Sequence, residues 1–126
     1  MSLGTVLCFL LIAVGMSSAA DTNPSLACNL KAINAANRPR YADLMKRLQA
    51  SVVKQTEIAD GYTYVLDAKG MALPEVAEWI TMERLCCPFL TFQLDVKSNG
   101  DSSLTLRGPD GVKALLREEF PSKSAR

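Results

Sequence analysis

The chain has 126 residues, enough for one domain of ordinary size and too few for two. Nearly half of the residues are hydrophobic, at 48%, so a packed core can form, and the formal net charge is only +1. Charged residues are interspersed along the sequence, so no basic field points to nucleic acid as a partner. The chain has no histidine, which removes the usual base of Ser-His and Cys-His catalysis and the commonest nitrogen ligand for zinc.

Residues 1–20 have the pattern of a secretory signal peptide. An apolar run over residues 5–14 is followed by small residues that end in Ser18-Ala19-Ala20, which predicts cleavage after residue 20. The run is shorter than the ~20 apolar residues that cross a bilayer, so no membrane association is expected after cleavage. We therefore predict an exported protein, periplasmic or secreted, and expect Cys8 to leave with the leader.

The rest of the chain divides by composition into three parts. Residues 21–39 form a polar, turn-rich entry segment that contains Cys28, residues 40–120 form one domain, and residues 121–126 form a flexible tail. Within the domain, apolar spacings of three and four predict helices. Alternation of apolar and polar residues predicts the strand over 89–97, and aromatic and β-branched residues predict the strand over 62–66. In chain order we predict a helix over 40–50, strands over 52–58 and 62–66, a helix from Pro74 to the Cys86-Cys87 doublet, strands over 89–97 and 104–106, and a helix over 112–120.

This order of helix, hairpin, helix, hairpin, helix predicts the fold class. The turn dipeptides Asp60-Gly61 and Asn99-Gly100 are typical of hairpins. The economical architecture is a four-stranded, mainly antiparallel sheet with helices on one face, an α+β domain. Trp79 and Tyr62 are expected in the core or at its edge.

The central helix is predicted to begin near Pro74, a residue suited to a first helical turn, and to end at Pro88. We predict that its buried face consists of Val76, Ala77, Ile80, Leu85 and Cys87. Cys86 and Cys87 then lie at the last turn, where the partial negative charge of the helix end disfavours a thiolate. An activated redox or catalytic thiol is therefore not the favoured interpretation.

Three cysteines remain after cleavage, Cys28, Cys86 and Cys87. An odd number in an exported chain leaves at least one thiol free, bound to metal or paired between molecules. One interpretation is that the doublet is small buried core, and a second is a disulfide from Cys28 to one member of the doublet. A third is a site for a soft ion such as Cu(I), Zn(II), Hg(II) or As(III), with Glu83, three and four residues before the doublet, as oxygen donor.

A resemblance to a group of small uncharacterised bacterial proteins rests on two segments, Ala27-Cys28-Asn29-Leu30 and Glu83-Arg84-Leu85-Cys86-Cys87-Pro88-Phe89-Leu90-Thr91-Phe92. Members of that group pair an early Cys with a later E-x-x-C-C-x-F segment, and related segments accompany regulator domains of the mercury-resistance type. The resemblance covers roughly residues 28–120. It implies that the three cysteines belong together, and it points towards heavy metals. The leader departs from the soluble members and argues against cytoplasmic metal sensing.

The sequence therefore favours a non-enzymatic exported module that binds a soft ion, or responds to oxidation through a thiol partner, at Cys28, Cys86 and Cys87. The alternative is a structural or interaction domain in which the cysteines form a disulfide or are simply buried. An enzyme with Cys86 or Cys87 as nucleophile and Glu83 as base is less favoured, because histidine is absent and the doublet lies at a helix C-terminus. No catalytic residue is assigned.

Overall fold

Three α-helices alternate with two β-hairpins in the computed structural model, which describes residues 26–122. Two short 3-10 turns, Leu30–Ala32 and Ala35–Asn37, precede the first helix. The elements are α1 (Arg38–Ser51), β1 (Val52–Ile58), β2 (Gly61–Leu66), α2 (Leu73–Cys86), β3 (Thr91–Val96), β4 (Ser102–Arg107) and α3 (Val112–Glu119). This order is the predicted one. The predicted leader and residues 123–126 of the predicted tail lie outside the described residues.

The four strands form one antiparallel sheet in the order β1-β2-β4-β3. Each hairpin pairs its own strands, and the hairpins are joined through β2 and β4, where Tyr64 lies opposite Leu104. On its other side Leu104 lies opposite Leu94 of β3. The second strand of each hairpin is therefore central, and β1 and β3 are the edges. The predicted α+β class is confirmed. The strand order was not predicted from the sequence.

The helices cover one face of the sheet. Tyr64 and Leu104 lie on that face and have no exposed surface. Trp79 of α2, also fully buried, packs edge-on against Phe92 of β3 and against Phe120, with ring centroids 6.0 and 6.3 Å apart. Aromatic contacts of this geometry stabilise a core beyond the area that they bury. The core therefore lies between the three helices and the sheet, and Trp79 lies in it as predicted.

The opposite face of the sheet contains a polar cross-strand pair. Thr63 of β2 and Thr105 of β4 are cross-strand partners, and their hydroxyl groups hydrogen-bond over 2.9 Å. Cross-strand threonine pairs of this kind stabilise antiparallel sheets. Strand β3 shows the alternation from which it was predicted, since Phe92 and Leu94 are half-buried and Thr91, Gln93 and Asp95 are exposed.

The predicted buried face of α2 is partly wrong. Leu85 is 45% exposed and Ala77 is also exposed. Nine residues separate Val76 from Leu85, about 900° of helical rotation, so the two side chains point in opposite directions. The face that is buried consists of Val76, Trp79, Met82, Glu83 and Cys86. The buried face of α2 thus includes an ionisable residue, Glu83, whereas the face predicted from the sequence contained no charged residue.

The end of α2 is where the sequence predicted it. Cys86 is the last helical residue, and Cys87 caps the helix by donating its backbone N–H to the carbonyl of Glu83 over 2.7 Å. Pro88 follows and cannot continue the helix. The doublet therefore faces the core at a fixed point, between the end of α2 and the start of the turn that leads into β3.

Candidate functional site

Three segments distant in sequence meet at the C-terminal end of α2. The entry segment is attached there because the backbone N–H of Asn29 donates to the carbonyl of Cys86 over 2.9 Å. This bond uses one of the carbonyl groups that a helix end leaves without an intrahelical partner. The third segment is α3, which ends at Glu119. Cys28 is thereby held beside the Cys86-Cys87 doublet.

The three cysteines predicted to belong together lie in one cluster. The Sγ atoms of Cys28, Cys86 and Cys87 are all within 4.8 Å of one another. Cys28 and Cys87 are at disulfide-bonding distance, with their Cα atoms 4.8 Å apart across a sequence separation of 59. That Cα separation lies within the range in which disulfides form without backbone movement. Cys86 is fully buried and stands outside this pair.

Glu83 lies directly against the sulfur atoms and has no exposed surface. Its Oε1 atom is 3.2 Å from Sγ of Cys87 and 4.0 Å from Sγ of Cys28. Its Oε2 atom accepts a hydrogen bond of 2.5 Å from the hydroxyl of Tyr41 on α1. Burial raises the pKa of Glu83, and the bond from Tyr41 opposes that rise only in part. The phenol thus fixes one carboxylate oxygen and leaves the other facing the thiols.

Glu119 is a second carboxyl group in the cluster, and the sequence analysis missed it. Its Oε1 atom lies 3.2 Å from Sγ of Cys28, and its Oε2 atom is buried with no hydrogen-bond partner in the described part of the chain. Burial, assisted by the charge of Glu83, raises the pKa of Glu119 to about 7. Its spacing was a usable signal. Seven residues separate Glu119 from the buried Val112, so both lie on one helix face.

The surroundings of Cys86 oppose ionisation of its thiol. Burial raises its pKa to about 11, and the charges of Glu83 and Glu119 act in the same direction. Within residues 26–122, no arginine or lysine forms an ion pair with either carboxyl group. Burial raises the pKa of both carboxyl groups, and no cation in the described part of the chain is paired with either of them to lower it again. A bound cation would supply a positive charge there.

Two sets of side chains lie close enough together to hold an ion once Cys28 and Cys87 are reduced. Cys28, Cys86 and Cys87 form a three-sulfur set, and Cys28, Cys87, Glu83 and Glu119 form a set of two sulfurs and two oxygens. Within each set the ligand atoms all lie within 4.8 Å of one another. Soft thiolates select soft ions, whereas mixed sulfur and oxygen sets suit borderline ions.

No helix in the described part of the chain combines the length and apolar character needed to cross a membrane. The chain matches no protein-family model, and no significant match is found among curated proteins or among solved structures.

Proposed function

We propose that the protein is an exported, non-enzymatic module whose reduced form binds one thiophilic ion through Cys28, Cys86 and Cys87. The observation that carries this proposal is the convergence of three sulfur atoms within 4.8 Å of one another, from two segments that are distant in sequence. Soft ions such as Hg(II), Cu(I) and As(III) are the ions that thiolate ligands select. Export rests on the leader-like residues 1–20 and is tested separately below.

Ion binding fits the electrostatics of the cluster better than thiol catalysis does. A catalytic or redox-active cysteine requires a lowered pKa, usually next to a cation or at a helix N-terminus. Cys86 has a raised pKa and lies at a helix C-terminus beside two carboxyl groups. A thiophilic ion reverses this situation, because it displaces the thiol protons and places positive charge between the acids.

The bonding distance between Cys28 and Cys87 adds a redox condition to the proposal. In an oxidising compartment this pair forms a disulfide, and a disulfide cannot ligate an ion through two thiolates. Binding then requires two electrons and two protons from a thiol reductant, which open the bond to two thiols. The thiol partner expected from the sequence is such a reductant.

A structural domain is the second candidate function, and the same bonding distance favours it. On this alternative the Cys28–Cys87 disulfide only fastens the entry segment to α2, and Cys86 is a buried core residue. The two candidates differ in the role of Cys86 in the reduced protein, because only an ion site needs its sulfur as a ligand beside the opened Cys28–Cys87 pair.

The test is a titration of the reduced, desalted protein with Hg(II) under anaerobic conditions, followed by sulfur-to-metal charge-transfer absorption. We expect one ion per chain in wild type and weaker binding in Cys28→Ser, Cys86→Ser and Cys87→Ser. Glu118→Gln is the matched control, because Glu118 is an exposed neighbour of the site on α3. If wild type with three free thiols binds Hg(II) no better than its Cys86→Ser variant, Cys86 is not a ligand and the three-sulfur site is contradicted.

Export is tested by sequencing the N-terminus of the protein recovered from an export-competent host. We expect a mature chain that begins near Asp21, because Ser18 and Ala20 are small residues of the type that signal peptidase requires. A soluble cytoplasmic protein with Met1 intact contradicts export, and it also removes the argument from an oxidising compartment.

A further inference from the structure

The cysteine pair Cys28 and Cys87 is shared between two ligand sets that differ in their remaining members. We propose that Glu83 and Glu119 complete a second, four-coordinate site on this pair, selective for a borderline divalent ion such as Zn(II), whereas Cys86 is used only by thiophilic ions. This inference rests on the proposed function, because both sites need the cysteine pair reduced. It assigns Glu119 as a ligand, a residue that the sequence prediction did not include.

Glu83 is oriented for such a site. Its Oε2 atom is held by the Tyr41 hydroxyl at 2.5 Å, so the Oε1 atom faces Cys87 at 3.2 Å and Cys28 at 4.0 Å. A hydrogen bond that fixes the outer oxygen of a ligating carboxylate is the usual way in which proteins orient it. Tyr41 is therefore a positioning residue, and the ligand atom is the inner oxygen of Glu83.

Glu119 is the second oxygen donor of this set. Its Oε2 atom is buried and has no hydrogen-bond partner among the described residues. A buried polar atom left without a partner costs free energy, and native proteins rarely retain one without a reason. Its other oxygen is 3.2 Å from Sγ of Cys28. The carboxyl group therefore reaches the cysteine pair through one oxygen and has a second oxygen still without a partner among the described residues, so it has free capacity to coordinate a cation.

The backbone also holds Glu119 in place. The side-chain amide of Gln49 on α1 donates to the carbonyl of Glu119 over 2.5 Å. Glu119 is the last residue of α3, and the next residue, Phe120, packs against Trp79 in the core. The carboxyl group is thus carried by a segment that is fixed on both sides, which is what a ligand of defined geometry requires.

The two sets suit different ions because of their number and type of ligands. Zn(II) is bound tetrahedrally by thiolate and carboxylate donors, which the set of two sulfurs and two oxygens provides. Arsenite takes three thiols: three As–S bonds form, three hydroxide groups leave as water with the thiol protons, and no oxidation state changes. Zn(II) binding releases the protons of two thiols and of any carboxyl group still protonated. Neither reaction needs an oxidant or reductant once the disulfide is open.

The test compares Zn(II) and arsenite binding by the reduced full chain in two variants, Cys86→Ser and Glu119→Gln. We expect Cys86→Ser to lose affinity for arsenite and to keep its affinity for Zn(II). We expect Glu119→Gln to lose affinity for Zn(II) and to keep its affinity for arsenite. Each loss should exceed the roughly 10–100-fold that removal of an outer-shell partner costs. Glu118→Gln, an exposed neighbour, should change neither affinity.

A second measurement, the absorption spectrum of bound Co(II), tests the second site on wild type in case a variant folds poorly. Co(II) bound in place of Zn(II) to wild type should show charge-transfer bands of two thiolates and tetrahedral d–d bands, with both retained in Cys86→Ser. If one variant weakens both ions alike, or Co(II) reports three thiolates, the second site does not exist although the first stands. If reduced wild type binds neither ion, the proposed function itself is wrong.

Discussion

The hydroxyl of Tyr41 donates a hydrogen bond of 2.5 Å to Oε2 of Glu83, and both side chains are buried although they lie 42 residues apart. The contact joins α1 to α2 at the point where α2 presents its thiols. Burial together with the bond to Glu83 raises the pKa of Tyr41, so the phenol remains a hydrogen-bond donor at any ordinary pH. One neutral donor therefore determines which carboxylate oxygen faces the sulfur atoms.

Tyr41→Phe should lower the free energy of unfolding by about 1–3 kcal/mol, because it leaves the buried Oε2 of Glu83 without a partner. Tyr64→Phe is a matched control, since the hydroxyl of Tyr64 is buried and has no partner among the described residues. Removing that hydroxyl should leave stability unchanged or raise it. Urea denaturation of both variants measures the difference. Equal stabilities of Tyr41→Phe and Tyr64→Phe would show that the bond to Glu83 contributes nothing.

Opening the Cys28–Cys87 pair should destabilise the fold. The chain-entropy model gives a disulfide across a loop of this length, a separation of 59 residues, a value of roughly 4 kcal/mol. We expect a reductant to lower the melting temperature of wild type by at least several degrees. The same reductant should leave Cys28→Ser unchanged. If the reductant does not change the melting temperature of wild type, the isolated protein contains no disulfide.

The variant Cys86→Ser tests whether the stability lost on reduction comes from the Cys28–Cys87 disulfide alone. Cys86 lies outside the bonded pair, so this variant should still lose stability on reduction, by about as much as wild type. A variant that no longer responds to reductant would mean that Cys86, rather than Cys87, is the partner of Cys28. Differential scanning calorimetry with and without reductant reports both results.

The stability of the metal-free, oxidised protein should fall as the pH rises from about 4.5 to about 7. Over this range Glu119 is ionised in the unfolded chain, but its pKa of about 7 keeps it protonated in the fold. The folded state therefore binds more protons, and stability is lost with increasing pH. Because Glu119 is partly accessible to solvent, we expect a loss of about 1–3 kcal/mol.

Glu119→Gln should reduce this pH dependence, because an amide does not titrate, and Glu118→Gln should leave it as in wild type. Urea denaturation at pH 5 and pH 8 measures the slope. The carboxyl group of Glu83, whose pKa is also raised by burial, adds to the slope in the same direction. A stability that rises between these two pH values would show that Glu119 is ionised in the fold.

The features predictable from the sequence are local ones. Val52–Ile58 is the predicted strand residue for residue, and Pro74 lies in the first turn of α2 as expected. The doublet lies at the end of α2 because Pro88 stops any helix at that point, whatever surrounds it. These features depend on backbone chemistry and on the periodicity of a few consecutive residues.

The features that could not be predicted depend on contacts between distant segments. The pairing of β2 with β4 and the choice of Cys87 over Cys86 as partner of Cys28 follow from how the helices dock on the sheet. The buried position of Glu83 was missed because a hydrophobic pattern treats a carboxylate as a surface residue. A carboxylate becomes a core residue only when a partner such as Tyr41, far away in sequence, reaches it.

Arsenic K-edge X-ray absorption spectroscopy of the reduced protein with one equivalent of arsenite tests the three-sulfur site most directly. We predict that arsenic has three sulfur neighbours and no oxygen neighbour in wild type, and that Cys28→Ser and Cys86→Ser each replace one sulfur by oxygen. Two sulfur neighbours in wild type, unchanged in Cys86→Ser, or arsenite that remains fully coordinated by oxygen, would contradict a site formed by all three cysteines.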